Sequence, residues 1–285
     1  MKIKKIIVIG AGIMGAGIAQ VAAQSGFDVL MVDISEELVQ KGLRSIQQGL
    51  SKGVEKGKIK KEDADAALRR VKTSIRLEDA RDSDVTIEAV VENMDLKKKI
   101  FRKLDEVCPK EAILTSNTSS LSITEMASAT SRPAKVVGMH FFNPAPLMKL
   151  VEVIRGRQTS DDTVAEIREL ALKFGKTPIV VKDVIGFAVN RVLTPLLNEA
   201  MYALQEGVAS VEDIDTGVKL GLNHPMGPFE LADLIGLDTI LYLMDIMHDE
   251  LGERFRPCPL LRNMVRAGHL GRKSGRGFYD YTKKP

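Results

Sequence analysis

Cysteine is nearly absent. The 285 residues hold two, Cys108 and Cys258, far apart and at no metal-ligand spacing. No disulfide framework or bound metal is expected, and a reducing cytosol is the predicted compartment. An excess of one charge is missing as well, since 41 Lys and Arg against 38 Asp and Glu leave only +3. That balance is too small to predict nucleic acid as a partner. No apolar run is long enough to span a bilayer, so no membrane association is expected. The first strand-like run starts within a few residues of the amino terminus, which leaves no room for a targeting peptide and predicts a cytoplasmic protein. Internal repeats and low-complexity segments are also lacking. What remains is a chain with 44% hydrophobic residues, enough for a large core and, by length, two domains.

The amino-terminal run KIIVIG (Lys5 to Gly10) is short, apolar and β-branched, the pattern of a buried parallel strand. It leads into Gly10, Ala11, Gly12, Ile13, Met14 and Gly15, a G-x-G-x-x-G, and then into a helix-like segment from Ile13 to Ser25. A second strand, Asp28 to Val32, ends in Asp33. The glycines allow a tight turn, close approach of a pyrophosphate, and close helix packing. The helix amino terminus offers unpaired N–H groups to the phosphates. Asp33 lies near the ~20-residue spacing at which an acid accepts from the adenosine ribose. Its charge repels a 2′-phosphate, so NAD is the expected cofactor.

Further strand-like runs cover Asp84 to Val91, Ala112 to Ser116, Val136 to Phe141, Lys149 to Ile154 and Pro178 to Val181. Helical stretches alternate with most of them, which predicts a doubly wound α/β sheet. The charged stretch from Glu36 to Val71 is too long for a simple crossover and reads as an inserted helical hairpin. The segment from His140 to Ile154 has no room for a crossover helix, so its two strands should pair antiparallel. Beyond Phe187 the pattern is helical: Phe187 to Glu206, Val211 to Leu220, Phe229 to Leu251 and Leu260 to Ala267. Ser210 followed by Val211, Glu212 and Asp213 reads as a helix start. The predicted division is residues 1–183 for a Rossmann-type domain and 184–285 for an all-α domain, poor in aromatics.

His140 ends an apolar strand just before Phe141, Phe142, Asn143 and Pro144, and the serine-rich turn Asn117 to Ser120 ends the strand before it. Ligands of open α/β sheets bind at such carboxyl ends. Imidazole suits proton exchange near neutrality. Glu152 is the one charge inside LVEVI; it either faces His140 across the hairpin or faces solvent, and spacing permits both. Ser119 is either a hydrogen-bond partner for a reacting oxygen or a turn-capping serine.

Together these motifs resemble the short-chain L-3-hydroxyacyl-CoA dehydrogenases, over essentially the whole chain. The marks are GAGIMGAGIAQ (Gly10 to Gln20), EAVVEN (Glu88 to Asn93), SNTSSL (Ser116 to Leu121) and GMHFFNPAPLMKLVEVI (Gly138 to Ile154). KDVIGFAVNR (Lys182 to Arg191), NHPMGPFELADLIGLD (Asn223 to Asp238) and GRKSGRGFYDY (Gly271 to Tyr281) complete them. The resemblance implies His140 as acid/base, Glu152 as its orienting carboxylate, Ser119 against the substrate's 3-oxygen, and Asn190 bonding the substrate. It implies Glu92, Lys97, Ser119, Asn143 and Lys273 around the cofactor, although Lys97 and Lys273 read equally as surface lysines. It also implies coenzyme A contacts on the basic hairpin (Lys52, Lys56, Lys58, Lys60, Lys61), chiefly Ser51, Lys52 and Lys56. The implied reaction interconverts 3-hydroxybutyryl-CoA and acetoacetyl-CoA, in butyrate or fatty-acid metabolism, by a homodimer.

Two rivals remain from the sequence. A free-hydroxyacid dehydrogenase of the 6-phosphogluconate type has a similar domain pair but typically uses lysine as acid/base. A non-catalytic, crystallin-like relative would bind NADH without turnover. GRKSGRG is not a phosphate loop, because Arg272 follows Gly271 where that motif needs lysine.

Overall fold

The apolar runs between residues 5 and 182 assemble into one eight-stranded sheet in a computed structural model that describes residues 3–282. Contacts divide the chain into two units, one ending at Val184 and the other beginning at Ile185.

The first unit begins with β1 (Lys5–Ile9), α1 (Ile13–Gln24) and β2 (Asp28–Val32), followed by the helical hairpin α2 (Glu36–Glu55) and α3 (Lys61–Arg70). Next come β3 (Val71–Ser74), β4 (Val85–Glu88), α4 (Met94–Val107), β5 (Ile113–Ser116) and α5 (Ile123–Ala127). It closes with β6 (Val136–Phe141), β7 (Leu150–Arg155), α6 (Asp161–Lys173) and β8 (Thr177–Lys182). The strand order is β3-β2-β1-β4-β5-β6-β7-β8. Neighbours run parallel except β6 and β7, which pair antiparallel as the short connection between them requires. Chain order reverses direction at β1, between β2 and β4, which opens a crevice at the carboxyl ends there. This is the doubly wound Rossmann-type sheet with its inserted hairpin.

Burial explains the strand composition. All six residues of β6 are buried, and four of five in β1 and β2, hence the continuous apolar runs. Helix starts carry their own signals: the Ser35 side chain accepts from Leu38 N–H at α2, and Asn93 accepts from Leu96 N–H at α4. Three boundaries depart from the sequence reading. β3 lies within and just beyond what reads as hairpin; its sequence, VKTS, has one buried residue and little apolar signal. β4 stops at Glu88, and beyond it Val91 is exposed.

The third departure lies in the second unit, built from α7 (Val189–Gln205), α8 (Val211–Gly221), α9 (Pro228–Ile235), α10 (Leu237–Leu251) and α11 (Pro259–Arg266). The run Phe229 to Leu251 reads as one helix, yet Gly236 at φ +104° breaks it into α9 and α10. The Ser210 side chain caps α8 as its sequence predicts. Leu197, Met201, Phe229, Met244 and Met247 are central to the core. The tail motif GRGFYDY is held from inside: buried Asp233 accepts from the Phe278 and Tyr279 N–H groups and the Tyr281 hydroxyl. Burial, together with the hydrogen bond its hydroxyl donates to buried Asp215 at 2.8 Å, raises the pKa of the Tyr279 phenol. Among the described residues, no helix is long and apolar enough to cross a membrane.

Candidate active site

The glycine-rich turn between β1 and α1 is shaped by backbone crowding. Gly10 sits at φ +102°, and a Cβ there would lie 2.5 Å from the Ala89 carbonyl oxygen. A Cβ at Gly15 would lie 1.8 Å from the Gly10 oxygen, so α1 packs against the turn only because that position is bare. Gly12 differs, since a Cβ there would meet nothing within 4 Å. The turn therefore needs Gly10 and Gly15 for its own fold, while Gly12 keeps a space open. At the start of α1, Gly12 offers no side-chain cap and the first turn carries no acid, unlike α2 and α4. Such a helix end suits an anion. Asp33, at the end of β2, accepts from Ala11 N–H at 2.6 Å and from Ile34 N–H at 2.7 Å, which ties its carboxylate to the turn. Ile13 and Ile34 stand exposed on either side. An open cradle, an uncapped helix end, a tethered acid and flanking apolar side chains fit a dinucleotide; Met14, partly buried, packs beneath.

Three strands away, the hairpin register decides between the two readings of Glu152. His140 on β6 pairs directly with Glu152 on β7. Glu152 is fully buried, His140 is 6% exposed, and Nδ1 lies 2.8 Å from Oε2. A carboxylate in that place selects the tautomer with the proton on Nδ1 and stabilises the imidazolium. The Phe142 ring packs 4.6 Å from the imidazole, centroid to centroid. Asn117 Oδ1 accepts from the Phe141 N–H at 2.8 Å, which fastens the serine-rich turn after β5 to the end of the His140 strand.

Ser119 belongs to that turn, and its surroundings contain the largest departure from a surface reading. Lys97 is 1% exposed, not solvated. Its Nζ lies 2.7 Å from Glu88 Oε1 and 3.3 Å from Glu92 Oε2. Glu92 Oε1 in turn accepts from Ser119 N–H at 2.7 Å, from the Ser119 hydroxyl at 3.2 Å and from the Thr118 hydroxyl at 2.9 Å. Glu88, wholly buried at the end of β4, did not stand out in the sequence reading. Its signal is weaker than that of Glu152: a carboxylate at the end of an apolar strand whose run as read in the sequence also holds Asp84.

Beyond β6 the chain crosses exposed Asn143, a cis bond to Pro144, and a loop to β7. Buried Lys176 holds this loop, donating from Nζ to the Ala145 and Met148 carbonyls at 2.6 and 2.8 Å. Burial, with Lys149 nearby, pushes its pKa down. Nothing in the sequence marks Lys176, because its partners are backbone atoms. Pro144, Pro146 and Leu147 of the loop face Gln20 and Gln24 of α1 and Lys52, Lys56 and Lys58 of the hairpin across a groove of about 370 Å³. Ser51 is exposed on α2 beside them, and Lys60 and Lys61 do not line the groove. Asn190 and Lys273 lie in the second unit. Asn190, on the first turn of α7, accepts from the Thr194 hydroxyl through its carbonyl, and exposed Lys273 pairs with Asp238 at 2.7 Å.

Comparison with known proteins agrees along the whole chain. A family model described as "3-hydroxyacyl-CoA dehydrogenase, NAD binding domain" matches residues 5–184, and its companion C-terminal domain matches 186–281. A "probable 3-hydroxybutyryl-CoA dehydrogenase" of Bacillus subtilis is 53% identical over 285 residues, covering 100% of this chain and 99% of the relative. The 3-hydroxybutyryl-CoA dehydrogenase of Bradyrhizobium diazoefficiens is 50% identical over 280 residues, covering 98% and 96%. The crystal structure of (S)-3-hydroxybutyryl-CoA dehydrogenase PaaH1 from Ralstonia eutropha superimposes with a TM-score of 0.96 at 50% identity, covering 99% of this chain and all of that one.

Proposed function

The chain belongs to the 3-hydroxyacyl-CoA dehydrogenase family, NAD-dependent oxidoreductases that act on CH–OH groups, and on that premise we propose that it interconverts (S)-3-hydroxybutyryl-CoA and acetoacetyl-CoA with a His140–Glu152 acid/base pair. The observation that carries this reading is the buried contact between His140 Nδ1 and Glu152 Oε2 at 2.8 Å, at the carboxyl end of a strand.

Bound NAD supplies the acceptor or donor of the hydride. The proton is the protein's task. With Nδ1 turned to Glu152, the imidazole exchanges a proton with the substrate's 3-oxygen at Nε2. In oxidation neutral His140 takes it from the hydroxyl; in reduction the imidazolium returns it to the oxygen. The buried Glu152 carboxylate offsets the positive charge of that imidazolium. The Ser119 hydroxyl, fixed by Glu92, holds the 3-oxygen, and Asn190 bonds the substrate. Lys52 and Lys56 line a basic groove that suits the phosphates of coenzyme A, with Ser51 beside them. Asp33 takes the adenosine ribose, and Glu92, Lys97, Asn143 and Lys273 complete the cofactor set. A cytoplasmic homodimer, paired through the second unit and serving butyrate or fatty-acid metabolism, completes the reading.

The test is initial-rate oxidation of NADH, and separately NADPH, with acetoacetyl-CoA and with free acetoacetate. Fast turnover with NADH and the thioester alone is the expected result. Preference for the free acid would overturn the thioester reading, and tight NADH binding without turnover would favour a non-catalytic relative.

A further inference from the structure

We infer that Glu88 is a positioning residue for Ser119, acting through Lys97 and Glu92 and, by a second route, through Ser116. The inference rests on the reading of Ser119 as the residue that holds the substrate's 3-oxygen.

Glu88 accepts from three donors. Oε1 accepts from the Val90 N–H at 2.7 Å and from Lys97 Nζ at 2.7 Å, and Oε2 accepts from the Ser116 hydroxyl at 2.6 Å. One route leaves through the ammonium: Lys97 bridges to Glu92, whose Oε1 takes both the N–H and the hydroxyl of Ser119. The other leaves through Ser116, the residue paired with Glu88 across β4 and β5, whose oxygen accepts from the Thr118 N–H at 3.1 Å. Thr118 then donates its hydroxyl to Glu92 and accepts from the Leu121 N–H at 2.9 Å. The two routes rejoin at Glu92, and Ser119 is the residue they enclose.

Stability alone does not account for this arrangement. Burying a carboxylate with an ammonium often gains nothing over an apolar pair of the same size, whereas fixed geometry is a use to which such pairs are put. Here a second carboxylate shares the ammonium, and the surplus negative charge faces a turn at the carboxyl ends of the strands. Only Glu92, 27% exposed at its side chain, reaches solvent; Glu88 and Lys97 do not. Glu88 therefore sets the position of Glu92 from beneath, and Glu92 sets the hydroxyl.

The experiment is a double-mutant cycle between Glu88→Gln and Ser119→Ala, read with acetoacetyl-CoA and NADH together with KM values, NADH affinity and melting temperature. The isosteric glutamine should lower kcat roughly ten- to hundredfold, the scale of a slightly misplaced reacting group, and raise KM for NADH by a smaller factor, since Glu92 and Lys97 also stand in the proposed cofactor set. In the Ser119→Ala background the same substitution should cost less than about twofold, because its target is gone. Glu88→Asp should restore part of the loss. An equal loss in both backgrounds, or no loss in either, overturns the relay. Should Glu88→Gln fail to fold, Ser116→Ala cuts the second route and leaves the ion pair whole, and its coupling to Ser119 decides in the same way. Undiminished kcat in Ser119→Ala alone refutes the role of Ser119 itself. A slow Ser119→Ala uncoupled from Glu88 refutes only the relay.

Discussion

Replacing Glu152 with glutamine keeps the shape of the site and removes one charge, so it isolates the electrostatic share of proton transfer. The carboxylate lies 2.8 Å from His140 Nδ1, with Glu152 fully buried and His140 nearly so. Centres of charge about 4 Å apart interact by about 4 kcal/mol at an effective dielectric constant of about 20. In the oxidative direction the imidazole gains its charge as the alcohol loses its proton, so the loss falls on the reacting state and not on substrate binding. At 1.36 kcal/mol per tenfold, kcat should drop roughly 10³-fold, inside the ~10²–10⁴ range of general acid/base catalysis. Glutamine still offers Oε1 to the Nδ1 proton, so the tautomer survives in the orientation that accepts. The assay is NADH formation from NAD⁺ and (S)-3-hydroxybutyryl-CoA, with NAD⁺ affinity measured separately. Affinity should hold while turnover collapses. A kcat within about threefold of the parent enzyme, at unchanged melting temperature, would refute the charge argument.

Three further outcomes are expected. Gly12→Ala should fold with an unchanged melting temperature yet lose NADH affinity by at least about tenfold, because its Cβ meets no protein atom and enters only the space that the turn keeps open. Gly15→Ala should lose both, since its Cβ falls 1.8 Å from the Gly10 oxygen; normal NADH binding by Gly12→Ala would place the pyrophosphate elsewhere. At low pH, Asp105 should be one of the groups that unlock the first unit. Burial acts to raise its carboxyl pKa, but the Ser131 N–H at 2.7 Å and the Arg132 guanidinium together hold it below the usual aspartate value. A carboxyl lowered in the folded state contributes stability that is complete above the unfolded value of about 3.9 and lost as pH falls through the folded one. Melting temperature from about pH 6 to about pH 3 should therefore decline less steeply in Asp105→Asn than in the parent; identical slopes would count against this assignment.

β1, β2 and β4 to β7 were legible because each is buried along most of its length, and burial leaves an apolar run with few alternatives. The antiparallel turn of β7 was legible from what it lacked, room for a crossover. β3 was not, since an edge strand of four residues with one buried side chain writes almost nothing into composition. The break at Gly236 was masked by apolar residues on both sides that keep helical spacing. Lys97 was the hardest to read: lysine is so often solvated that only the arrangement of two carboxylates around it reveals a buried ammonium.

By itself the sequence determined a buried parallel sheet, a dinucleotide turn with a strand-end acid, a helical second unit, and the residue types needed for proton transfer. These depend on short-range patterns: period, glycine spacing, and the single charge in an apolar run. Partnership was decided only by tertiary structure. Strand side chains alternate faces, so a register slip of one residue would have turned Glu152 away from His140; the pairing of β6 with β7 removed that freedom. In the same way Glu88, Lys97 and Ser119 come from a strand, a helix and a turn. They form one network because parallel neighbours end at the same edge of the sheet, a relation that spacing along the chain cannot express.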